Sequence, residues 1–143
     1  MKHHDPYESL GLHCSLTHRA FISALERKLK GTGIGPAQFI ALGQLLSLGP
    51  MSQSQLAANL SFKPATGVRL VDRMERDGWV TRQSDPADGR VKRLVPTGKA
   101  TTTWKKLSRL ARQLLNEAYQ GIPPSEIETV KRLLDRVRRN LGE

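Results

Sequence analysis

The sequence predicts an α+β fold that is mostly helical. Apolar residues recur at helical spacing through most of the 143 residues, whereas only two short runs, 79–83 and 91–95, have the composition of strands. Segments that contain glycine and proline, at 30–36, 48–52 and 121–124, divide the helical pattern into separate helices. Hydrophobic residues make up 38% of the chain, which is enough for the core of one domain covering residues 1–143.

The first three predicted helices cover residues 8–30, 36–48 and about 52–60. The first has one apolar face, formed by Leu10, Cys14, Phe21, Leu25 and Leu29. The third begins at Ser52, which precedes Gln55 by three residues in the pattern of a capping box. Such a box pairs two backbone N–H groups that would otherwise lack partners at a helix start.

The fourth helix is predicted to begin at Pro64 and to run to Asp77, because proline is favoured at a first helical position. Gly78 can then take the left-handed conformation that ends many helices. We expect its buried side to consist of Val68, Leu70, Val71 and Met74. The third and fourth helices, joined by about three residues, form a helix-turn-helix, and the hairpin at 79–95 follows directly.

Two long helices complete the chain. Thr97 is a predicted cap for a helix at 98–119, and Ser125 with Glu128 forms a second predicted capping box for a helix that ends near 141. The apolar stripes of these two helices and of the first helix would find too little apolar surface to pack against within one chain. This favours a homodimer. We therefore predict a winged helix-turn-helix DNA-binding module at 36–97, flanked by dimerisation helices at 1–35 and 98–143.

The chain carries a formal net charge of +10 and has a pI of about 10.4, so it should attract a polyanion. Nucleic acid is the leading candidate; a membrane partner is not predicted, since no apolar run approaches the ~18–20 residues of a spanning helix. The single cysteine, Cys14, excludes an internal disulfide and favours a reducing compartment. With no signal peptide visible at the N-terminus, the sequence predicts a cytoplasmic protein.

The candidate DNA-binding residues lie at the start of the fourth helix and on the hairpin. A helix-turn-helix inserts its second helix in the major groove, where Thr66 and Arg69 would reach bases and Arg73 a phosphate. Arg90, at the hairpin tip, would enter the adjacent minor groove, where a narrow groove concentrates negative potential. The remaining candidates are Lys63, Pro64, Ala65, Lys92 and Arg93.

The order of elements resembles that of the MarR family of winged helix-turn-helix regulators, and most specifically over LAANLSFKPATGVRLVDRMERDGWVTRQSDPADGRVKRL, residues 56–94. The resemblance implies that Asp88 steadies Arg90 at the wing tip. It also implies a homodimer that acts as repressor or activator and that is released or altered by a small phenolic or other aromatic acid, or by oxidation. The chain departs from the family pattern at Lys63, at Gly67, where an aliphatic residue is common, and at Pro96.

The same sequence also raises alternative functions. A thiol-based redox sensor would use Cys14, but LHCSLTH lacks the aromatic neighbours of such sensors, which favours a buried, inert thiol. A basic adaptor for RNA or protein is a further alternative. The four histidines, His3, His4, His13 and His18, lack metal-site spacing, and GTGIG (31–35) follows a helix and not a strand. We therefore predict no enzyme activity and no cofactor.

Overall fold

The computed structural model describes residues 5–143, which form six α-helices and one small sheet. A 3-10 turn, Pro6–Glu8, precedes α1 (Leu10–Leu29), which is followed by α2 (Pro36–Leu48), β1 (Met51–Ser52), α3 (Gln53–Asn59) and α4 (Pro64–Arg76). The hairpin of β2 (Val80–Ser84) and β3 (Lys92–Pro96) is called the wing below. The chain ends with α5 (Gly98–Ala118) and α6 (Pro124–Asn140). The predicted α+β, mostly helical fold is confirmed.

Local signals located most helix boundaries correctly. The Ser52 hydroxyl accepts a hydrogen bond from the Gln55 amide at 3.2 Å, and the Ser52 amide donates to Gln55 Oε1 at 2.9 Å, which is the predicted capping box. The Thr97 hydroxyl accepts from the Ala100 amide at 3.2 Å. Gly78 has a φ of 79°, the left-handed conformation that allows the chain to leave α4 and enter the wing.

The predicted capping box of the last helix is wrong. Pro123 is the N-cap and α6 begins at Pro124, so Ser125 lies inside the first turn. The ring of Pro124 disfavours the helical conformation for Pro123, while its own fixed φ suits a first helical position. Glu128 instead pairs with Lys131, with 2.6 Å between Oε1 and Nζ.

The sheet contains a strand that the sequence did not predict. Its order is β1-β3-β2, with both pairs antiparallel, and Met51 lies opposite Leu94. β1 has only two residues, which is too short for an alternation of apolar and polar side chains to be visible. The sequence therefore predicts only a break between two helices at this segment. The pairing ties the wing to the start of α3.

The core lies between the end of α1, helices α2 to α5 and the sheet, around the fully buried Trp79 and Leu42. Leu70, Val71 and Met74 face this core as predicted, but Val68 does not, because 40% of its surface is exposed. Gly67 is buried instead. A Cβ atom on Gly67 would lie only 2.8 Å from Cβ of Ala57 on α3, so the missing side chain lets the two helices approach closely.

Candidate nucleic-acid interface

Helix α4 exposes one side that bears most of the predicted DNA-binding residues. Ala65, Thr66, Arg69 and Arg73 lie opposite the buried positions, and all four are exposed. Lys63 is the N-cap and makes no side-chain cap hydrogen bond, so its ammonium group stands beside the partial positive charge of the helix N-terminus. Pro64 is also exposed. The structure therefore brings the predicted residues of this helix onto one surface.

The tip of the wing is a tight turn held by two aspartates. The Asp85 amide donates to the carbonyl of Val91 at 2.9 Å, and Asp85 Oδ1 accepts from the Ala87 amide at 2.7 Å. This amide and the nearby Arg93 guanidinium lower the pKa of Asp85. Asp88 Oδ1 accepts from the backbone amide of Arg90 at 3.0 Å. Asp88 thus positions the backbone of Arg90, whereas the family resemblance did not say through which atoms it would act.

The three cations at the tip and on β3 of the wing differ in their surroundings. Arg93 Nε lies 2.6 Å from Asp85 Oδ2, and Lys92 Nζ donates to the Ser84 hydroxyl at 2.8 Å. Arg90 is exposed at the tip. Among residues 5–143, no ion pair involves Arg90, Arg69, Arg73 or Lys63. These four side chains are therefore available to a polyanion, while Arg93 and Lys92 also hold the hairpin together.

Arg82, on β2, connects the wing to the helix-turn-helix and was missed by the sequence. Its Nη1 donates to Glu75 Oε1 at 2.7 Å, and its Nη2 donates to Asp72 Oδ1 at 2.8 Å and to Gln53 Oε1 at 3.0 Å. The hydrogen bond to Asp72 and the charge of Glu75 raise the pKa of Arg82. Because Asp72 and Glu75 lie on α4, this arginine also offsets two negative charges that would repel a phosphate backbone.

The other end of α4 is attached to α2 and α5. Gln38 Nε2 donates to Asp77 Oδ2 at 3.1 Å, and this bond is the main cause of the lowered pKa of Asp77. Lys99 Nζ donates to the Asp77 carbonyl at 2.7 Å and lies 4.1 Å from the centre of the Trp79 ring. Helix α4 is therefore connected to α5, the long helix that follows the wing.

An apolar pocket of about 280 Å³ lies between α1, α2 and α5. His18 is its one polar lining side chain, and Phe21, Leu25, Phe39 and Leu114 are among the apolar ones. The pocket thus lies between two of the predicted dimerisation helices, α1 and α5, and helix α2 of the predicted DNA-binding module. It is a concave, mostly apolar site of the kind that small ligands use.

Cys14 is exposed on α1 in the single chain, so the expected burial of its thiol is not found there. No group of three or more His, Cys, Asp and Glu side chains that could hold a metal occurs in residues 5–143. His3 and His4 lie outside the described residues. Within the described chain, none of the helices combines the length and apolar composition required to cross a bilayer.

Known proteins resemble this chain in sequence and in fold. Residues 32–91 match the model of the MarR family. The HTH-type transcriptional repressor IacR of Pseudomonas putida is 26% identical over 124 residues, which span 87% of this chain and 74% of that protein.

Two solved structures illustrate the similarity in fold. A cysteine-to-serine mutant of MarR from E. coli, complexed with operator DNA, superposes with a TM-score of 0.81 at 24% identity, over 90% of this chain and 92% of that one. CouR from Rhodococcus jostii RHA1, bound to p-coumaroyl-CoA, superposes with a TM-score of 0.82 at 22% identity, over 92% of each chain.

Proposed function

We propose that the chain is a winged-helix transcriptional regulator of the MarR family, whose model matches residues 32–91, and that it acts as a homodimer on a pseudo-palindromic operator in duplex DNA. The observation that carries this proposal is the surface shared by α4 and the wing tip. Arg69, Arg73 and Arg90 are exposed there without ion-pair partners in the described chain. In a two-fold dimer the two recognition helices would contact half-sites about one helical turn apart.

The proposed roles follow from position and chemistry. Thr66 and Arg69, near the start of α4, contact base edges in the major groove, with Pro64 and Ala65 against the groove floor. Arg73 and Lys63 contact phosphates. Arg90 enters the minor groove, Asp88 sets the course of the backbone before it, and Lys92 and Arg93 contact the flanking backbone while they hold the hairpin.

The homodimer is proposed because α6 has no core of its own. No residue of α6, which the structure describes in full, is buried, although its apolar stripe includes Val130, Leu133, Val137 and Leu141. Leu10, on α1, is also exposed. A second copy offers the same stripes by symmetry, so an isologous interface would bury both sets at once.

We further propose that the regulator is a repressor whose DNA binding responds to a small aromatic or phenolic acid. Two findings support this: the similar protein from Pseudomonas putida is a transcriptional repressor, and the similar CouR structure holds a ligand with a phenolic ring. The apolar pocket beside His18 is the proposed effector site. Action on an operator places the protein in the compartment that holds the DNA, the cytoplasm.

The test is selection of bound duplexes from fragmented genomic DNA, followed by fluorescence anisotropy on the enriched sequence across a salt series. We expect enrichment of an inverted repeat, two subunits per site, and an affinity that falls steeply as salt rises. Competition with a structured RNA distinguishes the adaptor hypothesis. Equal competition by that RNA, or no enrichment of any duplex sequence, would contradict the proposed function.

A further inference from the structure

Val68 is an apolar residue that α4 turns toward solvent. Gly67 makes the close contact with Ala57 on α3, so the next residue along the helix is rotated away from the core, and 40% of Val68 is exposed. Ala65, three residues earlier on α4, and Arg69, the next residue, are exposed as well. An exposed valine contributes little to stability, so its position raises the question of what covers it.

A shallow cleft of about 200 Å³ adjoins this side chain, between the first half of α3 and the start of α4. Phe62, Pro64 and Val68 supply apolar lining, and Gln53 and Ser54 supply polar lining from the first turn of α3. Since Pro64 and Val68 also belong to the exposed surface of the recognition helix, the cleft is continuous with the proposed DNA-binding surface.

We propose that Val68 is a specificity-determining residue that contacts the C5 methyl group of a thymine in each half-site. The inference rests on the proposed function and adds a partner for one side chain. Thymine is the one base that presents a methyl group in the major groove, and an aliphatic side chain contacts that methyl without a hydrogen bond. Thr66 and Arg69 on the same helix read polar base edges, whereas Val68 and its cleft read an apolar feature.

The test replaces each thymine of the selected operator, one position per half-site at a time, by deoxyuridine, which keeps base pairing and removes only the methyl group. With the unaltered protein, we expect one position at which binding weakens about three- to fivefold for each half-site altered, the size expected for one buried methyl. In Val68→Ala, affinity for the thymine operator falls by a similar factor, and deoxyuridine at that position has no further effect. The salt dependence of binding stays unchanged, because no charge is lost.

Leu48→Ala is the matched control, since Leu48 is an exposed aliphatic residue on α2 that does not line the cleft. It should keep the full sensitivity to deoxyuridine, and thermal melting should show that both variants fold. A deoxyuridine effect of equal size in the unaltered protein and in Val68→Ala would overturn the proposal, as would an operator with no sensitive thymine. Failure to bind any duplex selectively would instead contradict the proposed function itself.

Discussion

Arg90 shows how one side chain can be placed for a partner outside the protein. Two aspartates hold the turn around it through backbone amides, yet neither carboxylate accepts a hydrogen bond from its guanidinium group. Arg93, three residues later, is paired with Asp85. A charge that is held in place but left without a partner costs the fold little and is available to a narrow minor groove.

We expect Arg90→Ala to weaken operator binding by roughly 1–3 kcal/mol and to leave folding nearly unchanged. The loss should be greatest for operators with A·T-rich flanks, and the dependence of affinity on salt should become shallower by about one unit per subunit. Anisotropy titrations across a salt series measure both effects. Arg109→Ala, on an exposed residue of α5, removes the same charge outside the proposed interface. Binding by Arg90→Ala equal to that of the unaltered protein at every salt concentration would show that the wing assignment is wrong.

Thr66→Ala and Arg69→Ala should act differently from Arg90→Ala. Base contacts carry sequence information, so these two changes should relax the sequence preference more than they alter the salt dependence. Binding to a set of single-base operator variants measures the preference. Loss of affinity that is uniform over all variants would assign these residues to the phosphate backbone instead.

Cys14 is exposed in the single chain, but it lacks the aromatic neighbours of a peroxide-sensing thiol in LHCSLTH. We expect Cys14→Ser to leave both operator affinity and the response to mild peroxide unchanged. Titration of operator binding after peroxide treatment, with and without the substitution, is the measurement. Loss of binding on oxidation that the serine variant abolishes would support the redox hypothesis.

At the scale of elements, α4 is positioned by contacts on three sides. Gly67 sets its distance from α3, Arg82 connects it to the wing, and Asp77 connects its end to α2 and α5. The first contact sets how closely α4 approaches α3, and the second sets the rotation of α4 about its own axis. The third sets the position of its C-terminal end. The geometry of the proposed base contacts would therefore depend on residues outside the proposed DNA-binding surface.

Gly67→Val should destabilise the protein by about 1–3 kcal/mol, because the added side chain would overlap Ala57. Urea unfolding gives the free energy of unfolding. In the background of Ala57→Gly, which removes the atom at 2.8 Å, the cost of Gly67→Val should be smaller. If the two changes were simply additive, the close contact would not be the cause.

Arg82→Ala should lower the free energy of unfolding by about 1 kcal/mol, because its two carboxylate partners are well exposed and screened by solvent. Operator binding should fall by more than this change in stability accounts for, since Asp72 and Glu75 would then present uncompensated negative charge to DNA. Urea unfolding and anisotropy measure the two effects. Arg76→Ala is the control, since Arg76 also lies on the exposed part of this module but pairs only with its neighbour Asp77. An equal loss of binding in both variants would contradict the special role of Arg82.

At the scale of the molecule, the chain is well packed at one end and incomplete at the other. The core around Trp79 serves the helix-turn-helix and wing, whereas Leu133 on α6 and Leu141 directly after it remain 55% and 77% exposed. Apolar surface of this extent on a continuous helix face marks an interface. Helices α1 and α5 border the proposed effector pocket and also expose the apolar residues Leu10 and Leu115. We therefore expect a ligand in that pocket to alter the spacing of the two α4 helices of a dimer.

We expect the protein to be a dimer at micromolar concentration, without a stable folded monomer. Leu134→Glu should abolish the dimer and unfold the protein, because it would bury an unpaired charge in the interface. Analytical ultracentrifugation and far-UV circular dichroism measure assembly and folding. Arg132→Ala changes the net charge by the same amount on the opposite face of α6 and should leave the dimer intact. A compact, cooperatively folding monomer of the unaltered chain would refute the proposed assembly.

The sequence by itself determined those features whose causes lie within a few residues of one another. The capping box at Ser52 and Gln55, the cap at Thr97 and the left-handed Gly78 each depend on neighbours along the chain, so local chemistry was sufficient to locate them. The spacing of α3, α4 and the wing followed from those boundaries. The start of the last helix was misplaced by two residues because two local signals competed, and the proline signal prevailed over the serine one.

Only the tertiary structure decided how these elements face one another. Val68 and Gly67 are adjacent in sequence, and the contact with Ala57 determines which of them is buried. Arg82 binds partners 7, 10 and 29 residues away, and β1 exists as a strand only because β3 lies beside it. The spacing of apolar residues indicates that a helix has an apolar side. The rotation of that helix about its axis, to within one residue, depends on the shape of the elements packed against it, which are distant in the chain.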